Sequence, residues 1–129
     1  MIRRTHRFHG HNSLNFVYQK GVTVRGSQMS IRTALNNRRK DFRVAVVVSK
    51  KVSKSAVRRN RIRRRIYEGL RQNEGGITQP FDIVITAYSE NLMEYEYQKL
   101  TSELKNLLQK SGALTTVATT HATIEQKEI

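Results

Sequence analysis

The sequence predicts an α/β (α+β) two-layer sandwich, one mixed sheet packed with helices in the order α-β-β-α-β-α. Three observations lead there. Two apolar, largely β-branched runs, Phe42-Arg43-Val44-Ala45-Val46-Val47-Val48 and Phe81-Asp82-Ile83-Val84-Ile85-Thr86-Ala87, read as buried strands. Between them Ile62, Ile66 and Leu70 recur at every fourth position, the apolar stripe of an amphipathic helix. Beyond them Tyr97, Leu100, Leu104, Leu107 and Leu108 repeat at helical spacing and are expected to be buried. A length of 129 residues suits one domain with a single modest core.

The first helix is short. Asn12 or Ser13 is placed to cap it, Leu14, Val17 and Tyr18 share one face, and Gly21 ends it. Gln28 to Leu35 mostly alternates polar and apolar residues, as a half-buried strand does. Asn36-Asn37-Arg38-Arg39-Lys40-Asp41 has the composition of a turn. The run 42–48 is nearly continuous, which predicts a central strand covered on both faces. The second helix spans roughly Ser55 to Asn73. At about 100° per residue, Arg58, Arg61, Arg64, Arg65 and Arg71 fall opposite its Ile62 stripe, while Arg59 and Arg63 flank it. Gly75-Gly76 breaks this helix and Pro80 introduces the strand 81–87. The third helix covers about Met93 to Ser111, with Gly112 suited to its C-terminus. Strand 42–48, the second helix and strand 81–87 make a β-α-β crossover, right-handed on general grounds. From Ala113 onward the Thr- and Ala-rich stretch has no helical period, so 113–129 is expected to be a flexible tail beyond a folded domain, 1–112.

Charge is the strongest functional signal. Between Lys50 and Arg65 the chain carries nine Lys or Arg and no Asp or Glu. Residues 1–73 hold 20 basic residues against Asp41 and Glu68, a net of +18, whereas 74–129 hold four against eight, a net of −4. Charge so concentrated repels itself and calls for a polyanion, and nucleic acid gains affinity by releasing counterions for each phosphate neutralised. The basic half is therefore read as an RNA-binding surface. Arginine's planar fork suits bidentate phosphate contact, and folded RNA presents closely spaced phosphates.

Other classes are argued against. The absence of Cys removes disulfides, zinc knuckles and thiol catalysis. No apolar run approaches the ~20 residues needed to cross a bilayer. Met1-Ile2-Arg3-Arg4-Thr5-His6 lacks a secretory signal, so a cytoplasmic location is expected. Surface binding to membranes wants bulky apolar anchors, and the arginine segment has only Ile62, Ile66 and Leu70 and no Trp. Metal-assisted phosphodiester cleavage needs clustered carboxylates, which the basic half does not offer. No glycine-rich phosphate loop is present either. His6, His9 and His11 resemble ligands, but no Cys exists and no acid precedes Asp41, so they read as imidazoles facing water or RNA. Phe8, Phe16 and Tyr18 lie among Arg3, Arg4, Arg7 and Lys20, a mixture that stacks unpaired bases while holding phosphate. Phe8 and Phe16 equally suit stapling the helix to the sheet; Tyr18, with its hydroxyl, is the better contact residue.

At Val47-Val48-Ser49-Lys50-Lys51, followed by Ala56-Val57-Arg58-Arg59-Asn60-Arg61-Ile62-Arg63-Arg64, the chain resembles the protein subunits of bacterial ribonuclease P. The resemblance spans about residues 3 to 111 and includes Arg7-Phe8, Lys20-Gly21 and the Phe81-Asp82-Ile83-Val84-Ile85 strand. It implies assembly with a large catalytic RNA that removes the 5′ leader from precursor transfer RNA using magnesium ions. The protein itself would supply no catalytic residue, no dedicated metal site and no small-molecule site. RNA-subunit contacts would involve Lys50, Lys51, Arg58, Arg59, Asn60, Arg61, Arg63, Arg64 and Arg65. Leader contacts would involve Phe8, Leu14, Tyr18, Gln28, Ser30 and Arg32. The resemblance also implies a left-handed β-α-β crossover in place of the generic right-handed one. Leu14 stands where the family usually has Phe, and Arg32 where an aromatic is common. The alternative is a ribosomal or other structural RNA-binding protein without a role in cleavage; a protein-only nuclease conflicts with the shortage of carboxylates.

Overall fold

The apolar runs form strands and the helical stripes form helices, in a sheet one strand larger than the sequence predicts. A computed structural model describes residues 11–113. The elements are α1 (His11–Lys20), β1 (Val22–Arg25), β2 (Met29–Leu35), β3 (Arg43–Val47), α2 (Ala56–Arg71), β4 (Phe81–Ala87) and α3 (Tyr97–Ser111), with a 3-10 turn at Glu90–Met93 before α3. The sheet has four strands in the order β1-β2-β4-β3. β2 is antiparallel to β1 and β4, and β3 is parallel to β4, so α2 makes the expected β-α-β crossover within a mixed sheet.

The main core lies on one face of the sheet. Met29, Ile31, Val44, Val46, Ile83 and Ile85 pack there against Ile62, Ile66 and Leu70 of α2 and Leu100, Leu104 and Leu108 of α3. α1 lies on the other face, where Val17 is buried with Ala45 and Val84. α2 carries seven arginines and yet is helical. Like charges at i,i+4, such as Arg59 and Arg63, cost a few tenths of a kcal/mol per pair. Each buried Ile62, Ile66 or Leu70 contributes roughly 1.5–3 kcal/mol, so burial prevails.

Several expectations are corrected. β1 adds a strand to the three that the sequence predicts: its four residues are too few for alternation to register, and only Val24 is partly buried. β2 is buried nearly throughout rather than half-buried, because α3 packs on one face and α1 on the other. β3 is covered on both faces but is an edge strand; β4 is central. The outward backbone N–H of Val46 on that edge donates to the Tyr67 hydroxyl of α2 at 3.3 Å, which blunts the edge. α1 begins at His11, so Asn12 and Ser13 lie within its first turn. α3 begins at Tyr97, not Met93, and Tyr97 is 39% exposed at its N-terminus rather than buried. Leu92, in the 3-10 turn, supplies the apolar contact before α3 instead.

The predicted boundaries that coincide with the observed ones have local causes. Ser55 caps α2, its hydroxyl accepting from the Arg58 backbone N–H at 3.3 Å. Gly112 ends α3 with a φ of 85°, a left-handed conformation that favours glycine. Ala113, assigned to the tail from sequence, is buried in the main core; the remainder of the expected tail, 114–129, lies outside the described residues.

Candidate nucleic-acid interface

The cationic surface is built from the loop after β3 and the exposed side of α2. Lys50, Lys51 and Lys54 are exposed on the loop that leads into the helix N-terminus. No acidic residue occupies the first turn of α2, so these ammonium groups and the helix dipole add at one end and favour an anion there. Arg61 and Arg64 are exposed, and neither makes a hydrogen bond or ion pair among the described residues. Their charge is available to an external polyanion.

The other arginines are partly engaged. Arg59 is half-buried and donates from Nη1 to the carbonyls of Ser53 and Lys54 at 2.9 and 3.0 Å, pinning the loop that carries Lys54. Arg58 pairs with Glu90, and Arg63 donates to the side-chain carbonyl of the exposed Asn60. Arg65, expected opposite the stripe, is instead half-buried and donates to the carbonyls of Leu92 and Tyr95. It follows Ile62 by three residues, or about 300°, which turns it back toward the buried side. Arg58 and Arg65 thus tie α2 to the segment before α3. Lys54 was not singled out from sequence, although it lies within the basic run.

The second candidate surface runs along α1. Leu14 is half-buried against the cluster of Val17, Ala45 and Val84, and Tyr18, one turn on, is 44% exposed. Ser30 of β2 is buried and pairs in register with Thr86 of β4. Ser30 and Arg32 alternate along β2 with the core residues Met29 and Ile31, and so lie on the opposite, α1-bearing face of the sheet. Gln28 sits in the bend before β2, where its carbonyl accepts from Tyr88 N at 2.8 Å and its side-chain oxygen is buried with no partner among the described residues. Phe8, His6 and His9 lie outside the described residues.

Arg32 is turned to another task. Its Nε donates to the Val17 carbonyl at 2.9 Å, Nη2 donates to the Tyr18 carbonyl, and Nη1 donates to Thr23 Oγ1. The guanidinium expected to face leader RNA is bound to the last turn of α1. The same Val17 carbonyl accepts from Gly21 N at 2.7 Å. A Cβ on Gly21 would lie 2.4 Å from that oxygen and 3.0 Å from the Thr33 carbonyl, so the turn between α1 and β1 admits only glycine without a shift.

Among the described residues no group of three or more His, Cys, Asp or Glu is placed to hold a metal ion. Asp82, fully buried, is held by Arg43 through Nε at 2.9 Å and Nη2 at 2.8 Å and by Asn36 Nδ2 at 2.9 Å. Both Asp82 oxygens are therefore engaged, and among the described residues no carboxylate cluster suits a magnesium ion. Among the described residues no helix is long and apolar enough to cross a membrane.

A mixed four-stranded sheet, helices on both faces and a cationic helix surface, with guanidinium groups unpaired among the described residues, define a small basic α/β domain suited to a polyanion such as RNA. The chain belongs to the ribonuclease P family: residues 2–112 match the family model described as Ribonuclease P. It is 33% identical over 114 residues to the ribonuclease P protein component of Pseudanabaena sp. (strain PCC 6903), covering 88% of this chain and 97% of that one. It is 32% identical over 123 residues to the same component of Prochlorococcus marinus (strain AS9601), covering 85% and 95%. The fold is similar to that of the Staphylococcus aureus RNase P protein, with a TM-score of 0.74 at 25% identity over 85% of this chain and 98% of that one. It is similar also to the Thermotoga maritima RNase P protein, with a TM-score of 0.66 at 25% identity over 75% and 89%. As a member of this family, the chain is a protein component of the ribonuclease P holoenzyme, in transfer-RNA processing.

Proposed function

We propose that this chain docks on the catalytic RNA of ribonuclease P through the surface that carries Lys50, Lys51, Lys54, Arg61 and Arg64. The groove flanked by Leu14 and Tyr18 then receives the 5′ leader of precursor transfer RNA. The observation that carries the reading is the pair of exposed guanidinium groups at Arg61 and Arg64, which have no partner among the described residues. Arg59, by holding the Ser53 and Lys54 carbonyls, keeps the lysine-bearing loop against the helix end, and Arg58 and Arg65 hold α2 in place. The protein's part is to bind and orient RNA, while the RNA subunit supplies the magnesium ions and the cleavage chemistry.

The test is reconstitution. The purified chain is incubated with precursor transfer RNA and magnesium, with and without the cognate RNA subunit. A mature 5′ end is expected only when that RNA is present. Leader removal by the protein alone would overturn the assignment of chemistry to the RNA. Cleavage by the RNA that the protein leaves unchanged across magnesium and salt concentrations would favour a structural RNA-binding role.

A further inference from the structure

α1 has two flanks, and the groove of Leu14 and Tyr18 uses only one. On the other flank Phe16 and Leu35 face the turn after β2 across a pocket of about 710 Å³, which Arg43 and Asp82 also line. We propose that this pocket seats an unpaired nucleotide of RNA, its base against Phe16 and its phosphate between Arg38 and Arg39. The inference rests on the RNA-binding reading above but concerns a separate surface.

The turn is rigid where it meets the core and free where it meets solvent. Asn36 N donates to the Pro80 carbonyl at 3.0 Å, and the Asn36 side chain donates to Asp82 Oδ2 and accepts from Arg38 N at 3.2 Å. Arg39 N closes the turn on the Asn36 carbonyl at 3.0 Å. The Arg38 and Arg39 side chains and the Asn37 amide are exposed and make no hydrogen bond or ion pair among the described residues. Two guanidinium groups are thus presented from a fixed backbone, which lowers the ordering cost of binding a phosphate. A half-buried aromatic ring offers a stacking face, and Asn37 offers both a donor and an acceptor for a base edge.

Competing occupants fit less well. A divalent cation would meet Arg38, Arg39 and Lys40, and the buried Asp82 oxygens are already held by Arg43 and Asn36. An acidic peptide would satisfy the cations but leave the ring and the Asn37 amide unused. A free phosphate ion would do the same.

The experiment is a backbone-amide NMR titration of the full chain with a short unstructured oligoribonucleotide. Saturable shifts are expected at Phe16 and Asn37 to Arg39. Arg38→Ala with Arg39→Ala should weaken that response about tenfold, a loss of roughly 1.4 kcal/mol. Phe16→Leu, which keeps an apolar side chain, should weaken it in the same way while leaving the fold intact. Saturating RNA that leaves the turn unmoved would overturn the proposal. So would equal shifts produced by inorganic phosphate or by a polyglutamate peptide. Shifts at Leu14, Tyr18, Arg61 and Arg64 report the surfaces of the proposed function, and the double variant should retain them. Loss of those with the turn still responding would contradict the proposed function and leave this pocket standing.

Discussion

Arg32, on β2, donates from Nε to the Val17 carbonyl of α1 at 2.9 Å and from Nη2 to the carbonyl of Tyr18. Those oxygens belong to the last turn of the helix, where intrahelical donors run out and the dipole leaves partial negative charge. A cation from the sheet supplies a donor to the Tyr18 carbonyl and a second one to the Val17 carbonyl, beside Gly21 N, and so fixes the end of α1 that carries Tyr18. Arg32→Ala should destabilise the protein by about 1–3 kcal/mol, the usual worth of hydrogen bonds to a charged group. Urea unfolding measures it. Arg32→Lys should recover only part, because an ammonium group lacks the planar fork. If both variants match the wild-type midpoint, the clamp does not contribute to stability.

The turn below that clamp allows little freedom. With a Cβ at residue 21 only 2.4 Å from the Val17 carbonyl, Gly21→Ala must displace α1 or β1. A loss of at least about 1 kcal/mol is expected. Amide hydrogen exchange should rise first in α1, the helix that this turn joins to the sheet. Uniform exchange across the whole sheet would argue instead for a global effect.

Asp82 is fully buried and Arg43 is its bidentate partner. Asp82→Ala takes the carboxylate from the Arg43 guanidinium, itself only 12% exposed, and breaking such a pair costs about 3–5 kcal/mol. Asp82→Ala should therefore lower the thermal midpoint more than any single surface arginine variant. Because Asn36 also bonds Asp82, the same variant should loosen the 36–39 turn. Thermal unfolding followed by circular dichroism would read the first effect, and heteronuclear relaxation in the turn the second.

The arginines of α2 should separate into two groups. Arg61→Ala and Arg64→Ala should weaken binding to the RNA subunit and flatten its dependence on salt by roughly one unit per lost phosphate contact. Their unfolding midpoints should stay at the wild-type value. Arg65→Ala should do the reverse: lost stability, from the carbonyls of Leu92 and Tyr95, with a smaller change in salt slope. Identical behaviour of Arg61 and Arg65 would mean that burial does not separate their roles.

Much of this arrangement was legible because its causes are local. Ile62, Ile66 and Leu70 mark the buried side of α2, while Ser55 and Gly112 mark helix ends through their own backbone chemistry. What was illegible depends on partners distant in sequence. Nothing near Arg32 says that its guanidinium will reach the end of α1, 14 and 15 residues earlier. Nor does the run 42–48 reveal that it lies at a sheet edge, since a strand covered on both faces has the same composition whether or not it has two neighbours. Arg65 was misplaced for a simpler reason. A residue on the border of a stripe is assigned to solvent by angle alone, until an adjacent segment such as 92–95 provides carbonyls for it.

In the proposed complex the exposed Tyr18 ring meets the leader and not the body of transfer RNA. The most direct measurement is the affinity of the reconstituted holoenzyme for precursor and for mature transfer RNA, in wild type and Tyr18→Ala. Loss of a base-stacking ring typically costs about 1–3 kcal/mol. Precursor binding should weaken by that amount while mature transfer RNA, which lacks the leader, binds as before. Equal weakening toward both ligands would contradict the account and assign Tyr18 to support of the fold.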